Sequence, residues 1–590
     1  MILNSLLKNT RLMCLAGFLG ITLPQMTAAP IEHIGDRYIM HVSEMELTGE
    51  ESLLDVLMMC PEVISLDGNN IIGGDPFANQ YGKFVIRIDN QEYGLDYATL
   101  LHHFKAREIE SIKVCQNAEV MKGCSSLKKV IDITLRKGEN GVSGRAGLFG
   151  DTYGGGKGIV SVLSQQDDLR ILSHVEGNFQ RTSNSDKDAY QNQSSNTINH
   201  YSHEGAKLNV LWTPTSKDIL EVDAMQTYTR NHFTHSPAEY VRAYHLQADY
   251  TRTLGENGSS ILFTLGAEHI SDNGRTQEES QTFPYQNHST YPFAVVEYAT
   301  PVFTKDLWIT AGFEGGLSIE KNCIADYINH SNYEDFYVQL DYNIGKWGFM
   351  AGERYRIINF RPKQISSVSN WKHTTHNHSY SFSTFYTFTP GHTLQGTFCR
   401  RIFNPEFGDF VTAGDMEGAW KPTYTTDIRN SLANVMELKY TYSKPNLVVS
   451  TSVKNIHQHL IDNDNTLGIG TTAFWHTGIL RLTAGFNYFW ERAETPVEET
   501  SLRDTSYHNF AVFKLAPQLT LADGWRLTSN LIWCTYRHTA TPAYTPANLY
   551  AEVGVYKNIG KYLTLEGRFH DIASQHFGNR AATIGCTYYF

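Results

Sequence analysis

The chain has 590 residues, a formal net charge of −12 and 41% hydrophobic residues, and it contains 33 Tyr and 30 Phe. The acidic balance excludes a nucleic-acid-binding protein, because such proteins carry a clustered basic face. Beyond the first 30 residues, no run approaches the roughly 20 apolar residues that a membrane-spanning helix needs, so a helical membrane protein is excluded as well.

Residues 1–29 are predicted to be a signal peptide. Lys8 and Arg11 form a basic start, residues 12–23 form a short apolar run, and Thr27-Ala28-Ala29 offers small residues for cleavage. Cleavage after Ala29 removes two basic residues, so the mature protein is more acidic by two charges. Its remaining cysteines are scattered and odd in number, which is no disulfide framework. A bridge between Cys115 and Cys124 stays open at this stage, since spacing alone does not establish it.

Residues 30–140 predict a small α+β unit. Apolar residues recur at helical spacing in 52–59, and Pro61 ends that helix. A second short helix is predicted over 96–104. The stretches 62–66, 83–89, 110–114 and 130–135 alternate in polarity and predict strands.

The order of these segments carries a family resemblance. The runs S-L-L-D-V-L-M-M-C-P-E-V, V-I-R-I-D-N, E-I-E-S-I-K-V and V-I-D-I-T-L-R-K resemble the plug domain of TonB-dependent outer-membrane receptors. The flanking runs D-R-Y-I-M-H-V and G-E-N-G-V-S-G-R-A-G resemble the version found in outer-membrane β-barrel family proteins of Bacteroidetes. The positions that match the plug pattern are Leu54, Asp55, Leu57, Pro61, Val63, Arg87, Asp89, Glu110, Ile112, Val114, Ile131 and Ile133.

The resemblance implies a plug folded inside a barrel, a small ligand of unknown identity and a TonB-type inner-membrane complex as energy-coupling partner. The sequence departs from the family at three places. Residues 72–80 replace the usual Gly-rich, Arg-containing loop, and residues 116–123 replace the usual N-P-S-A stretch. No clear energy-coupling box lies between Ala29 and the plug, and the extended run 38–42 is assigned to the plug itself.

From Gly141 to Phe590 the polarity alternates with a period of two. Phe263 and Leu265 alternate with Thr264, and Met436 and Leu438 alternate with Glu437 and Lys439, among other strands. One face of such strands suits lipid and the other a polar interior. Because every backbone group must be paired in hydrocarbon, the strands are predicted to close on themselves.

The predicted fold is mainly β: a transmembrane antiparallel barrel of about 22 strands over 141–590, with its lumen filled by the α+β plug of 30–140. Short turns are predicted near residues 166–168, 214–217, 255–258, 343–346, 390–391, 443–446, 522–524 and 558–561. Longer polar loops are predicted at 181–200, 271–287, 361–378, 403–429 and 494–504. Since outer-membrane barrels have short periplasmic turns, the C-terminus is expected on the periplasmic side of the cell outer membrane.

The candidate ligand-binding residues are Trp371, His373, His376 and His378, in a predicted outer loop. Three imidazoles this close suit Zn, Cu or haem iron, although a polar loop rich in His is the alternative. Further ligand-facing surfaces are expected at 70–81, 181–200, 361–378 and 403–429. Within the lumen, Arg87 and Arg136 of the plug are expected to pair with barrel carboxylates such as Glu268, Glu437, Glu552 or Glu566.

Enzyme signatures are absent: the chain has no G-x-S-x-G, H-E-x-x-H or P-loop motif, and no cofactor is predicted. The family resemblance therefore implies an outer-membrane receptor that binds a scarce ligand and imports it to the periplasm, with membrane lipid as its surroundings. The alternative is a non-transporting surface protein of the same architecture, acting as an adhesin or assembly partner. The missing coupling box favours this alternative, and the plug pattern favours transport.

Overall fold

The structure is a computed structural model, and it describes the chain from residue 31 to residue 590 with gaps. The gaps are residues 35–36, 46, 48, 50, 61–62, 65–71, 74–83, 89–90, 93–100, 102–103, 116–128, 137–140, 153, 188–193, 234–235, 279–280, 323–326, 365–371, 404–410, 415–420, 425–430, 445, 460–462, 497–502, 536, 539–543, 546–547, 561, 571 and 573–580.

A small mixed sheet precedes the barrel. Its strands are β1 (Ile31–Ile34), β2 (Arg37–Met40), β5 (Phe84–Ile88), β6 (Gln91–Glu92), β7 (Ile109–Cys115) and β8 (Lys129–Leu135), in the order β1-β2-β7-β8-β5-β6. Among the strand pairs of this sheet that the structure describes, β5 and β8 are the parallel pair. A separate two-stranded piece joins β3 (Val63–Ile64) to β4 (Ile72–Gly73). The strands predicted at 83–89, 110–114 and 130–135 are confirmed.

The plug has one helix in its described part, α1 (Leu53–Leu57), with short 3-10 turns at Val42–Glu44 and Ala106–Glu108. Ser52 caps α1, because its hydroxyl accepts the backbone N–H of Asp55 while the Asp55 carboxylate accepts the N–H of Ser52. The helix buries Leu54 and Leu57 against the sheet. The helix predicted at 96–104 falls largely outside the described residues.

The barrel consists of 22 long strands that pair antiparallel with their neighbours, and the last strand pairs with the first to close it. The strands are β9 (Gly141–Asp151), β10 (Gly156–Gln166), β11 (Leu169–Lys187), β12 (Ser194–Thr215), β13 (Asp218–Phe233), β14 (Ser236–Leu254), β15 (Ser259–Glu278), β16 (Gln281–Pro301), β17 (Leu307–Asn322), β18 (Tyr327–Ile344), β19 (Trp347–Phe360), β21 (His373–Thr389), β22 (His392–Phe403), β25 (Ser431–Lys444), β26 (Leu447–His459), β27 (Asn463–Thr477), β28 (Leu480–Pro496), β29 (Arg503–Thr520), β30 (Trp525–Cys534), β33 (Asn548–Ile559), β34 (Leu563–His570) and β35 (Ala581–Tyr589).

Short extra strands accompany these 22 long strands. The segment β20 (Pro362–Gln364) continues β19 along β18. Two small hairpins join β23 (Val411–Gly414) to β24 (Lys421–Tyr424) and β31 (Arg537–His538) to β32 (Tyr544–Thr545). None of the helices in the described part of the chain has the length and hydropathy needed to cross a bilayer.

Side chains alternate across the barrel wall as the sequence predicts. On β15, Phe263 and Leu265 are 42% and 67% exposed on the outward face, whereas Thr264 is buried on the inward face. On β25, Met436 and Leu438 face outward while Lys439 is buried inside. The outward face is therefore apolar and the lumen wall polar, which is the arrangement of a transmembrane barrel.

All eight predicted short turns are present, and they lie at one end of the barrel, here called the turn end. Two turns were missed, at 302–306 and at 478–479. The turn end also holds the start of β9 and the end of β35. The opposite end, here called the loop end, carries the longer connections.

The predicted loops are shorter than expected, because the strands continue into them. The strand β11 reaches Lys187 and β12 begins at Ser194, so much of 181–200 is a hairpin. Likewise β15 and β16 occupy most of 271–287. Past the bilayer neither face needs to be apolar, so the period-two pattern disappears while the ladder of backbone hydrogen bonds continues.

The plug core is continuous with one arc of the barrel wall. Buried plug residues including Tyr38, Leu57 and Ile112 belong to the same apolar cluster as inward-facing barrel residues, which are Val448, Phe474, Phe489, Phe510, Val512, Ile532 and Tyr550. The plug thus docks against strands β26 to β33, and its polar contacts with that side of the barrel define the candidate site.

Candidate functional site

Two arginines of the barrel converge on the start of the plug helix. The Nη1 of Arg526, on β30, lies 3.2 Å from Oε1 of Glu51, and its Nη2 lies 3.7 Å from Oδ2 of Asp55. The Nη2 of Arg568, on β34, lies 3.4 Å from the same Asp55 oxygen and donates to Oγ of Ser52 at 2.9 Å. Glu51, Ser52 and both arginines are at most 2% exposed. The plug therefore presents carboxylates, and the barrel supplies the cations.

Tyr556 stands at the centre of this group. Its hydroxyl donates to Oδ2 of Asp55 at 3.2 Å, and the Cζ atoms of Arg526 and Arg568 lie 4.1 and 5.2 Å from its ring centroid. Arginine over an aromatic face is attracted by the ring quadrupole, more strongly where water is excluded. The ring thus holds two like-charged guanidinium groups side by side.

A second ion pair joins the plug to the same wall with the opposite polarity. Lys105 Nζ, on the plug, donates to Oε2 of Glu566, on β34, at 3.2 Å, and both side chains are at most 4% exposed. Glu552 of β33 accepts from Nη1 of Arg568 at 3.0 Å. The whole cluster contains four carboxylates, at Glu51, Asp55, Glu552 and Glu566, and three cations, at Lys105, Arg526 and Arg568.

The surroundings shift the pKa values of the plug members. Burial acts to raise the pKa of Asp55, but the charges of Arg568 and Arg526 and the hydrogen bonds from Ser52 outweigh it, so the pKa lies below the ordinary 3.8. Burial lowers the pKa of Lys105 below 10.5, and the neighbouring arginines add to this effect, while Glu566 opposes it. Asp55 is therefore ionised at neutral pH.

Further contacts fasten the plug around this cluster. Lys514 of β29 donates to the backbone oxygens of Cys60, at 3.2 Å, and Val63. Tyr38 OH bonds Oγ of Ser450 at 2.9 Å. On the other side, Nη1 of Arg145, on β9, donates to Glu108 at 2.7 Å. The plug is thus held by ionic and polar contacts from β9 and from β25 to β34.

The contact between helix and wall is not closely packed everywhere. A cavity of about 30 Å³ lies between α1 and strands β28 to β33, beside Asp55 and Met58. The side-chain amides of Gln518 and Asn530 border it and are buried without a hydrogen-bond partner. A polar gap of this size can hold a water molecule. The ionic cluster therefore has polar, water-sized space next to it.

The plug residues singled out from the sequence mostly form the plug core. Leu54, Leu57, Val63, Ile112, Val114, Ile131 and Ile133 are at most 2% exposed, while Pro61 and Asp89 lie outside the described residues. Arg87 pairs with Asp132 of the plug, with 2.6 Å between Nε and Oδ1. Arg136 donates to the backbone oxygen of Ile109. Glu110 is exposed and accepts from Ser43.

The predicted charge pairing between plug and barrel takes another form. Glu552 and Glu566 do face the lumen, but their partners are Arg568 and Lys105 rather than Arg87 or Arg136. Glu51, Arg526 and Arg568 also belong to this cluster and were not predicted from the sequence. The sequence did contain one indication of their role. Arg526 and Arg568 each precede an outward-facing apolar residue, so their side chains point into the lumen, where a buried charge needs an oppositely charged partner.

The His-rich stretch is a strand rather than a loop, which corrects the prediction. His373, His376 and His378 lie in β21, and Trp371 lies outside the described residues. His376 and His378 are exposed on the outward face, where they contact Tyr355 OH at 2.8 Å and Glu353 at 3.1 Å. His373 falls on the opposite face, because successive strand residues point to opposite sides. The structure therefore does not bring the three imidazoles together.

Known structures of the same architecture match nearly the whole chain. The ferric-catecholate import receptor Fiu from E. coli K12, in its closed form, has a TM-score of 0.69 at 11% identity, covering 96% of this chain and 99% of Fiu. The chain has the fold of these receptors. The siderophore receptor PiuA from Acinetobacter baumannii gives 0.67 at 9% identity (96% and 99% coverage), and the copper transporter OprC gives 0.69 at 10% (94% and 100%). No protein-family model and no curated protein matches the sequence.

Proposed function

We propose that the protein is an outer-membrane receptor that imports a scarce small ligand, in the manner of the TonB-dependent receptors that its plug sequence resembles. The single observation that carries this proposal is the plug held inside a 22-stranded barrel by the buried cluster around Asp55 and Arg568. A barrel of this size has a lumen that needs a plug. Proteins with this fold include an import receptor for ferric catecholates and a copper transporter.

The proposed mechanism is movement of the plug after ligand binding at the loop end. Separating a buried ion pair costs about 3–5 kcal/mol when one partner is left uncompensated. Buried contacts of this kind join Glu51, Asp55 and Lys105 of the plug to the barrel, in addition to its apolar contact. Spontaneous release is therefore rare, and an external energy source fits this arrangement. This supports a TonB-type inner-membrane complex as partner and argues against a passive pore.

The proposed orientation places the turn end and Phe590 on the periplasmic side, because short turns face the periplasm in barrels of this class. The ligand then enters at the loop end. The chain's role is transport rather than catalysis. The surfaces proposed to meet the ligand are the loop-end hairpins and the plug loop 70–81, of which only Ile72–Gly73 is described.

The test of this proposal uses the full-length protein. Outer-membrane fractionation and heat-modifiable migration in electrophoresis examine the architecture, and recovery as a soluble periplasmic protein would contradict it. Capture of the detergent-purified protein by an immobilised periplasmic coupling domain examines energised import. Saturable capture supports import, whereas no binding favours the non-transporting surface protein. Growth of a deletion strain on separate iron, cobalamin, haem, glycan and peptide sources then identifies the ligand class.

A further inference from the structure

The outward face of β13 and β14 carries two arginines stacked on two tyrosines near the loop end. Tyr228 lies directly across from Arg242, and Arg230 lies directly across from Tyr240. The Cζ of Arg242 is 5.4 Å from the Tyr228 ring centroid, and the Cζ of Arg230 is 5.5 Å from that of Tyr240. The two rings are stacked with their centroids 6.4 Å apart. Each guanidinium group thus lies over the aromatic ring of the residue directly across from it on the neighbouring strand.

One of these arginines begins a row that crosses four strands. The register places Arg242 opposite Ser271 of β15, Ser271 opposite His288 of β16, and His288 opposite Lys321 of β17. Directly paired residues share a face, so this row, defined as Arg242, Ser271, His288 and Lys321, lies wholly on the outside of the barrel. Three strand spacings separate Arg242 from Lys321, which is about 14 Å. The row therefore presents two separated cations with a hydroxyl and an imidazole between them.

The row lies at the edge of the apolar outer surface. From the turn end, the outward positions of β14 include Ala248, Leu246 and Tyr244, of which Leu246 is 56% and Tyr244 42% exposed, and Arg242 is the next. A tilted strand crosses the hydrocarbon in about 9–11 residues. Arg242 therefore lies at the level of the lipid headgroups, above a tyrosine of the kind that marks the membrane interface.

The cations of the row are available for an external anion. Arg242 and Lys321 are exposed, and within the described residues neither forms a salt bridge with a carboxylate. The acidic neighbour on this face is Glu204, which lies opposite Tyr228. At the turn end, the outward Arg252 does form a salt bridge, since its Nη1 lies 3.5 Å from Oδ1 of Asp218. The loop-end arginines are instead oriented by aromatic rings, which leaves their N–H groups free to face outward.

We propose that the row binds the phosphate groups of a membrane lipid headgroup in the leaflet at the loop end. Arginine presents paired N–H donors that match the oxygens of phosphate, and lysine adds a point charge. Basic sites on membrane proteins at this depth recognise anionic headgroups. A lipid is the occupant because the row belongs to the wall that the bilayer surrounds. The proposal rests on the membrane-spanning barrel and is independent of what the protein transports.

The experiment measures binding of a diphosphorylated lipid A to the full-length, detergent-purified protein by native mass spectrometry. The wild type is expected to bind it at least tenfold more tightly than the same lipid without its phosphates. The variant R242Q/K321Q should lose that preference. The control R252Q, which removes an outward arginine at the turn end, should retain it. Heat-modifiable migration establishes that each variant is folded.

Several outcomes would overturn the assignment. If the wild type binds the phosphorylated and phosphate-free lipids equally, the assignment is wrong. This outcome needs no variant, so it remains decisive even if R242Q/K321Q fails to fold. Wild-type affinity in a folded R242Q/K321Q, or an equal loss in R252Q, also contradicts it. Inorganic phosphate that displaces the lipid at an equal concentration would show a general anion site in place of a lipid site.

Discussion

Asp55 on the plug helix and Arg568 on barrel strand β34 lie 3.4 Å apart, between Oδ2 and Nη2, with both side chains largely buried. They are 513 residues apart in the sequence. A contact this distant couples the first described helix of the chain to its second-to-last barrel strand. This pair is therefore one of the contacts that hold the plug in the barrel.

Asp55→Asn should loosen the plug without disrupting the barrel. The substitution leaves Arg526 and Arg568 with less compensating charge in a buried site, and we expect a loss of about 3 kcal/mol in plug stability. Native-state proteolysis of the plug, with heat-modifiable migration as a check on the barrel, measures the effect. Glu110→Gln is the matched control, since its exposed carboxylate lies 4.0 Å from Arg136 and should contribute less than about 1 kcal/mol. Equal losses in the two variants would contradict a special role for Asp55.

The difference between wild type and Asp55→Asn should depend on pH. The folded-state pKa of Asp55 is below the ordinary 3.8, so its stabilisation is fully present above 3.8 and is lost as the pH falls through the folded pKa. Proteolysis of both proteins with an acid-active protease should show a constant difference from pH 7 down to about pH 4, which then shrinks. A difference that stays constant to pH 2 would show that charge is not its origin.

The pair of Lys105 and Glu566 offers a double-substitution test. Lys105→Met leaves the Glu566 carboxylate buried beside the plug, and we expect a loss of about 3–5 kcal/mol in plug stability. Adding Glu566→Gln removes that unpaired charge and should restore at least half of the loss. If the two losses simply add, the ion pair seen at 3.2 Å has no energetic role.

Gly391 should be required for the turn between β21 and β22. Its φ is +82°, and a Cβ there would lie 2.2 Å from the backbone oxygen of Ser443. Gly391→Ala combines a left-handed penalty of about 1–2 kcal/mol with this steric clash. The control Gly345→Ala has φ +59° and nothing within 4 Å of the added Cβ, so it carries the first penalty alone. The temperature of heat modification should fall further for Gly391→Ala, and the reverse order would be inconsistent with the clash.

His376→Ala and His378→Ala should leave ligand binding in the lumen unchanged, because both imidazoles point outward from β21. Titration of Zn, Cu and haem against the wild type and the double variant checks this directly. Equal affinities are expected. A tenfold loss of affinity for Zn, Cu or haem in the double variant would support the His-based site predicted from the sequence and would place it on the outer surface of the barrel.

The strand pattern was readable from the sequence because the bilayer imposes it. Phe263 and Leu265 face lipid and Thr264 faces the lumen, so the sequence alternates with a period of two along each strand. This alternation and the short turns between strands together predicted the number of strands, which is 22. The lengths of the loop-end hairpins were not readable, because residues 181–187 and 194–200 lie where neither face must be apolar. His373 to His378 were assigned to a loop for the same reason.

The ionic cluster was only half visible in the sequence. Asp55 belonged to the plug pattern, and its capping box with Ser52 marks a helix start. Pairing it with Arg526 and Arg568 needs the three-dimensional path of a chain that returns after hundreds of residues. Local patterns identify which residues must be satisfied inside the barrel, but they do not identify the partner.

The seam between β35 and β9 has a consequence for biogenesis. Phe590 exchanges backbone hydrogen bonds with Gly144 at 2.9 and 3.0 Å, so the cylinder is completed by contacts between strands at opposite ends of residues 141–590. The cylinder can therefore close only after β9, β35 and the strands between them have formed. A closed seam surrounds the plug contacts of Asp55 and Lys105 with a continuous wall, which makes closure of the seam the step that traps the plug.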